Sequence, residues 1–199
     1  MSNSVTTNPS IFLRLKQSDA APREFAWEEF HARYAPIIAA FAARFGARKQ
    51  DVDDIIQDVM LGFFSKSPTF VYDAGKGRFR GYLKVCTYRA LATHLGKQAR
   101  FGGVSLDQID PESVSIDHAW NEIWEQELFQ RAMQQVRSEV GDTKTFCAFE
   151  RYVAFNHPAE TVAAELDLHL TSVYRAKREI TDLLREKVRA MNDDEGDRD

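Results

Sequence analysis

The chain predicts an all-α fold, and three observations carry that expectation. Apolar residues recur at steps of three and four almost throughout. Glycine and proline are sparse, at 10 and 6 of 199 residues. The breakers that do occur sit where periodic segments start or stop. More fully, the pattern predicts two small helical domains joined by a flexible linker, the second ending in a helix-turn-helix.

The elements follow in order. Ser10 caps a short helix over Ile11 to Gln17. From about Glu24 a longer helix sets Trp27, Phe30, Tyr34, Ile38, Phe41 and Phe45 along one face, and Gly46 ends it. Asp51 or Asp53 caps the next, whose stripe is Val52, Ile55, Val59 and Phe63; acids in its first turn suit the helix dipole. Ser67-Pro68 stops it, Tyr72 to Gly77 is a loop, and a helix runs from about Arg80 to Gln98. Residues 101–118 lose the period: two glycines, a proline, serines and four acids without a base, a flexible acidic tether. A helix from near Asp117 carries Trp120, Trp124, Leu128, Ala132, Val136 and Val140 inward, and another covers Lys144 to Phe155. Asn156-His157-Pro158 starts a helix with proline at its first position. The tail NDDEGDRD, residues 192–199, is expected to be disordered.

Charge is distributed unevenly around a net of −4. Asp51 to Phe64 holds four acids and no base. Val71 to Arg100 holds seven bases against Asp73 alone, with Phe70, Tyr72, Phe79, Tyr82 and Tyr88 threaded among them. Cations that attract phosphate, interleaved with rings that stack on bases, suit a single-stranded nucleic acid. The candidate contacts are Tyr72, Lys76, Arg78, Phe79, Arg80, Tyr82, Lys84, Tyr88 and Arg89.

A second signal lies in Pro158 to Val188. Ala159 to Leu166 is a two-turn helix, Asp167-Leu168-His169 a turn in which Asp167 can take the left-handed conformation, and Leu170 to Val188 a second helix. Val173, Ala176, Ile180, Leu184 and Val188 form its core stripe. Thr171, Tyr174, Arg175 and Arg178 fall opposite, Ser172 on the flank, and Lys177 on the apolar side, from which it must snorkel. A helix, a tight turn and a helix with a basic outer face is the helix-turn-helix arrangement, in which arginine reads guanine edges.

Several classes are excluded or disfavoured. No run of 18 apolar residues suggests a membrane span, and MSNSVTTNPS does not read as a signal peptide. Cys86 and Cys147 lie far apart in helical patterns and read as free thiols, as in a reducing cytoplasm. The five histidines show no metal spacing with the cysteines, and no catalytic constellation, cofactor motif or small-molecule site emerges, so the chain is not expected to be an enzyme. Asp53, Asp54 and Asp58 do spell DDxxxD, a pattern of metal-diphosphate helices, but a second facing acidic helix is missing. The remaining readings of that helix are a solvated face or a docking surface for a basic partner.

Together these pieces resemble a bacterial RNA polymerase sigma factor of the extracytoplasmic-function (ECF) type, within the sigma-70 superfamily, over roughly Trp27 to Arg189. DVDDIIQDVMLGFF resembles the polymerase-docking helix of that family, D-x-x-D-h-h-Q-[DE]-h-h with h apolar. By that resemblance Asp54, Gln57 and Asp58 face the clamp helices of the largest subunit of core polymerase. KGRFRGYLKVCTYRALATHL resembles the −10 and strand-opening segment, and ETVAAELDLHLTSVYRAK the −35 reader. Tyr82 stands where the family often has tryptophan, Arg89 where it often has asparagine, His169 where serine often caps the reading helix. VYRAKREI approaches a VYxAKxRV subgroup, with Glu179 in place of arginine.

The resemblance implies an N-terminal extension (1–22), a core-binding and −10 domain (23–100), the linker (101–118), a −35 domain (119–191) and the tail. It implies a cytoplasmic protein whose partners are core RNA polymerase and promoter DNA. An anti-sigma factor is a further partner open to such a protein, on which the residues are silent. The alternative is a stand-alone helix-turn-helix regulator, which would dimerise on a palindrome.

Overall fold

The computed structural model describes residues 11–15, 20–66, 79–99 and 114–194. Among them every regular element is helical, as the periodicity predicts: α1 (Ile11–Arg14), α2 (Ala20–Arg44), α3 (Lys49–Lys66), α4 (Phe79–Ala99), α5 (Val114–Val140), α6 (Lys144–Phe149), a π-helical turn (Glu150–Ala154), α7 (Ala159–Leu166) and α8 (Leu170–Asp194). The chain divides into two compact units, one reaching Glu125 and the other spanning Gln126–Asp193.

The first unit is built on rings. Phe30 stacks on Phe63 at 4.7 Å and 8°. Phe12 of α1 lies 4.8 Å from Phe79 of α4, and Tyr34 lies 5.1 Å from Phe79. Such tilted and stacked pairs add to the burial each ring already provides. α1 is thus part of this core, with Ile11, Phe12 and Leu15 buried, although its residues fall in what the sequence suggests is only an extension. Gly46, at φ 91°, ends α2 where expected. α3 begins two residues before Asp51, so Asp51 lies inside its first turn; its carboxylate accepts from Arg48 Nε at 2.8 Å.

The first half of α5 belongs here as well. Ile116, Trp120, Ile123 and Trp124 are buried in the same core; Trp120 meets Phe41 at 5.1 Å and Trp124 meets Tyr34 at 5.9 Å. The sequence expectation assigns 119–125 to the second domain. The boundary instead falls inside α5, because its apolar stripe changes partners without changing period.

The second unit has two small cores. Ala132 and Val136 of α5 meet Phe146, Phe149, Ile180 and Leu184; Ala148 meets Ala159, Val162, Ala163, Val173 and Ala176. Thr143 caps α6, its hydroxyl accepting from Phe146 N–H at 3.3 Å. The helix expected over 144–155 changes hand-hold at Glu150, where the Phe155 amide reaches back five residues to the Glu150 carbonyl. That is a single π turn. Pro158 serves as the N-cap of α7 rather than its first residue. Asp167 takes the left-handed conformation, φ 51° and ψ 59°, as its place in the turn requires. α8 continues past Val188, so residues 192–194, expected to be tail, are helical.

Candidate functional site

Two surfaces of the first unit carry predicted site residues. The first is a groove of about 840 Å³ between α2 and α3. Trp27, Glu28 and His31 line it from α2; Asp53, Asp54, Gln57, Leu61 and Phe64 line it from α3. It arises because α3 buries Ile55, Val59, Met60 and Phe63, leaving Leu61 and Phe64 exposed beside the outward acids. The Arg23 guanidinium lies 5.2 Å from the Phe64 ring centroid. Apolar floor and carboxylate rim together fit an amphipathic helix with basic residues along its flank. Of the three predicted docking residues, Asp54 and Gln57 share this groove. Asp58 does not line it; its Oδ2 lies 3.0 Å from His94 Nε2 on α4. Sequence reasoning missed Leu61 and Phe64, which fall off the core stripe of α3 and for that reason stay exposed.

The second surface is α4 with the half of α5 that covers it. Tyr72, Lys76 and Arg78 lie outside the described residues. Phe79 and Tyr88 need a correction: at 1% and 7% exposure both are core residues, and neither offers a face to a base. Their positions on α4 coincide with its inward side, which also carries Leu83, Leu91 and Leu95. Tyr82 is half-buried, 6.1 Å from Phe63 and 6.0 Å from Phe79. Burial, with the neighbouring Cys86 thiol, pushes its phenol well above the ordinary range. Arg89 is exposed on the outer face.

Arg80 and Lys84, one helical turn apart, both turn toward α5. Arg80 Nη2 donates to Asn121 Oδ1 at 2.7 Å and to the Asn121 carbonyl at 3.2 Å, and its guanidinium lies 5.3 Å from the Trp124 ring centroid. Lys84 Nζ donates to Asp117 Oδ1. Nearby, Arg44 Nη1 donates to Glu122 Oε2 at 2.6 Å and holds that carboxyl below its usual range.

In the second unit, the predicted contacts on α8 are all presented outward. Thr171, Tyr174, Arg175, Lys177 and Arg178 are exposed and Ser172 is half-buried. Lys177 leaves the apolar side as expected, and its ammonium sits 5.5 Å from the Tyr152 ring centroid. Tyr152, from the π turn, meets Tyr174 edge-on at 5.7 Å.

Residues 30–101 match the family model for sigma-70 region 2. This segment is similar to sigma-70 region 2. The match spans residues 30–101, about a third of the chain. It covers α4 and the α3 wall of the groove, with His31 of α2, while Trp27, Glu28 and the second unit lie outside it. No similar curated protein is found. Among the described residues no group of three metal-ligating side chains converges. No described helix is long and apolar enough to cross a membrane.

Proposed function

We propose that the chain is a sigma factor of the ECF type that acts in the cytoplasm, carries no chemistry of its own, and brings core polymerase to a two-part promoter. The observation that carries this reading is the acidic, apolar-floored groove whose α3 wall lies within the segment similar to sigma-70 region 2. Asp54 and Gln57 receive a basic helix of core polymerase there, with Asp53 and Glu28 adding charge and Leu61 and Phe64 supplying buried area. Asp58 stands beside the groove and reaches the partner only if it leaves His94.

α4 then handles the opened −10 strand through Arg80, Tyr82, Lys84 and Arg89, joined by Tyr72, Lys76 and Arg78 from the preceding segment. Melting costs a few kcal/mol per unstacked step, and basic and aromatic contacts to the freed strand offset it. Arg175 and Arg178 on α8 read −35 base edges, with Thr171, Ser172, Tyr174 and Lys177 setting the helix against phosphates. The α7–turn–α8 geometry supports this: a left-handed Asp167 turns the chain tightly, and the outer face of α8 is polar and basic.

Run-off transcription with purified core polymerase on a library of genomic promoters tests the reading. Asp54→Lys combined with Asp58→Lys should abolish core binding and transcription while leaving the circular dichroism of the fold unchanged. Arg175→Ala or Arg178→Ala should weaken recognition by about 1–3 kcal/mol per lost base contact and leave core binding intact. Normal pull-down of polymerase by the double lysine variant would refute the docking assignment. A footprint from the chain alone, as a dimer on a palindrome, would favour the stand-alone regulator.

A further inference from the structure

We infer that the first half of α5 is an internal stand-in for the DNA strand, which Arg80 and Lys84 must exchange for nucleic acid when the promoter is loaded. The inference rests on the reading that these two cations contact the opened strand. Its own support is chemical. Asp117, Asn121 and Trp124 lie at steps of four and three, on one face of α5. They offer in order a carboxylate, a primary amide and an aromatic face. Those are the groups a single strand offers as phosphate, base edge and base face.

The two helices meet antiparallel: Arg80 takes Asn121 and Trp124, and Lys84, one turn later, takes Asp117, one turn earlier. Glu125 adds a carboxylate 4.0 Å from Arg80. The two cationic side chains are left only 17% and 15% exposed, so both strong donors on this flank of α4 are occupied. α5 cannot simply swing away, because Trp120, Ile123 and Trp124 are core residues. The exchange is therefore one of side-chain partners, with α5 staying docked. In the free chain it lowers affinity for strands met by chance. In the initiation complex, held polymerase and a flipped strand supply the local concentration that reverses it.

The test measures binding of a fluorescent oligo-dT of about 15 nucleotides, a length that spans the basic segment. Asp117→Asn with Asn121→Ala removes the carboxylate that holds Lys84 and the side-chain amide that holds Arg80, leaving Arg80 only the Asn121 carbonyl, the Trp124 ring and the longer Glu125 contact. Glu186→Gln, an exposed carboxylate of the second unit, matches the change in net charge. At about 0.15 M salt the double variant should bind about tenfold more tightly than wild type, with a steeper salt slope, and Glu186→Gln should change binding less than about twofold. Adding Arg80→Ala and Lys84→Ala should erase the gain. Thermal melts check that both variants keep the fold, and Asp117→Asn alone serves if the double variant does not.

A gain no larger than that of Glu186→Gln overturns the stand-in. The underlying reading is probed separately with holoenzyme: Arg80→Ala with Lys84→Ala should weaken its hold on the same probe. Unchanged holoenzyme binding would sink the strand-contact reading itself. Weakened holoenzyme binding without a gain in the free double variant would sink only the stand-in.

Discussion

The two units solve the same problem, burying one face of short helices, with opposite materials. The first is filled with rings: Phe12, Phe30, Tyr34, Phe41, Phe63, Phe79, Trp120 and Trp124 are all buried. The second relies on Ala, Val, Ile and Leu, with Phe146 and Phe149 its buried rings among the described residues. Large rings spread a core outward, so the functional residues of α4 end up interleaved with it: Phe79 and Tyr88 inside, Tyr82 half inside, Arg80 and Lys84 held by α5. A narrow seam of mostly aliphatic residues leaves the far side of α8 largely to water, and Thr171, Tyr174, Arg175, Lys177 and Arg178 are exposed there. The difference teaches that a basic-aromatic stretch marks a surface in one unit and largely a core in the other.

Phe30→Ala tests that contrast with the largest effect. It removes a ring stacked on Phe63 and flanked by Tyr34, Phe79 and Trp27, and should cost about 3–5 kcal/mol. Trp27, Trp120 and Trp124 are the three tryptophans of the chain, and all belong to the first unit. Denaturant unfolding followed by tryptophan fluorescence should therefore shift strongly, while the part of the far-ultraviolet dichroism transition due to the second unit stays put. Equal shifts in both probes would show that the units unfold as one and would break the comparison.

A smaller effect is expected on the other side. Asp167 holds a left-handed backbone between α7 and α8 that an L side chain tolerates at modest cost. Asp167→Gly should stabilise the second unit by about 1 kcal/mol, and a β-branched Asp167→Val should destabilise it by a similar or larger amount. The change should be visible by dichroism and not by tryptophan fluorescence. If Asp167→Gly is neutral or destabilising, the aspartate makes a compensating local contact.

These outcomes bear on what the sequence discloses. Periodicity places α2, α3, α7 and α8 and most of their inward residues, and Gly46 and Asp167 mark turns whose backbone demands them. The division inside α5 is not legible. Trp120, Trp124, Leu128, Ala132 and Val136 form one unbroken stripe, and a stripe does not say which neighbour it meets. The same limit applies to α4. Composition puts Phe79 and Tyr88 beside the bases, but only the register of Leu83, Leu91 and Leu95 reveals that both rings point inward. The docking groove was half legible: its acids are evident from Asp53 and Asp54, while its floor depends on Trp27 of another helix. The π turn at Glu150 leaves no mark in the sequence that we can connect to a cause.

The smallest effect would sharpen the boundary itself. Glu122 is an exposed residue of α5 whose carboxylate accepts from Arg44 of α2; His118 is its neighbour one turn earlier. Hydrogen bonding and attraction from Arg44 outweigh the small desolvation of Glu122 and depress its carboxyl. A carboxyl depressed in the folded state contributes stability that is present above its unfolded value, about 4.3, and is lost as pH falls through the folded value. Asp51, paired with Arg48, behaves the same way in the same unit, so the informative quantity is the difference between proteins. Wild type and Glu122→Gln should differ slightly in the tryptophan-reported midpoint near pH 6 and converge near pH 3, with no difference at either pH in the second unit. Water screens such a surface pair, so the shift is expected to be small. If the difference appears instead in the second unit, the first half of α5 answers to the wrong core, and the contacts of Arg80 and Lys84 with it lose their meaning too.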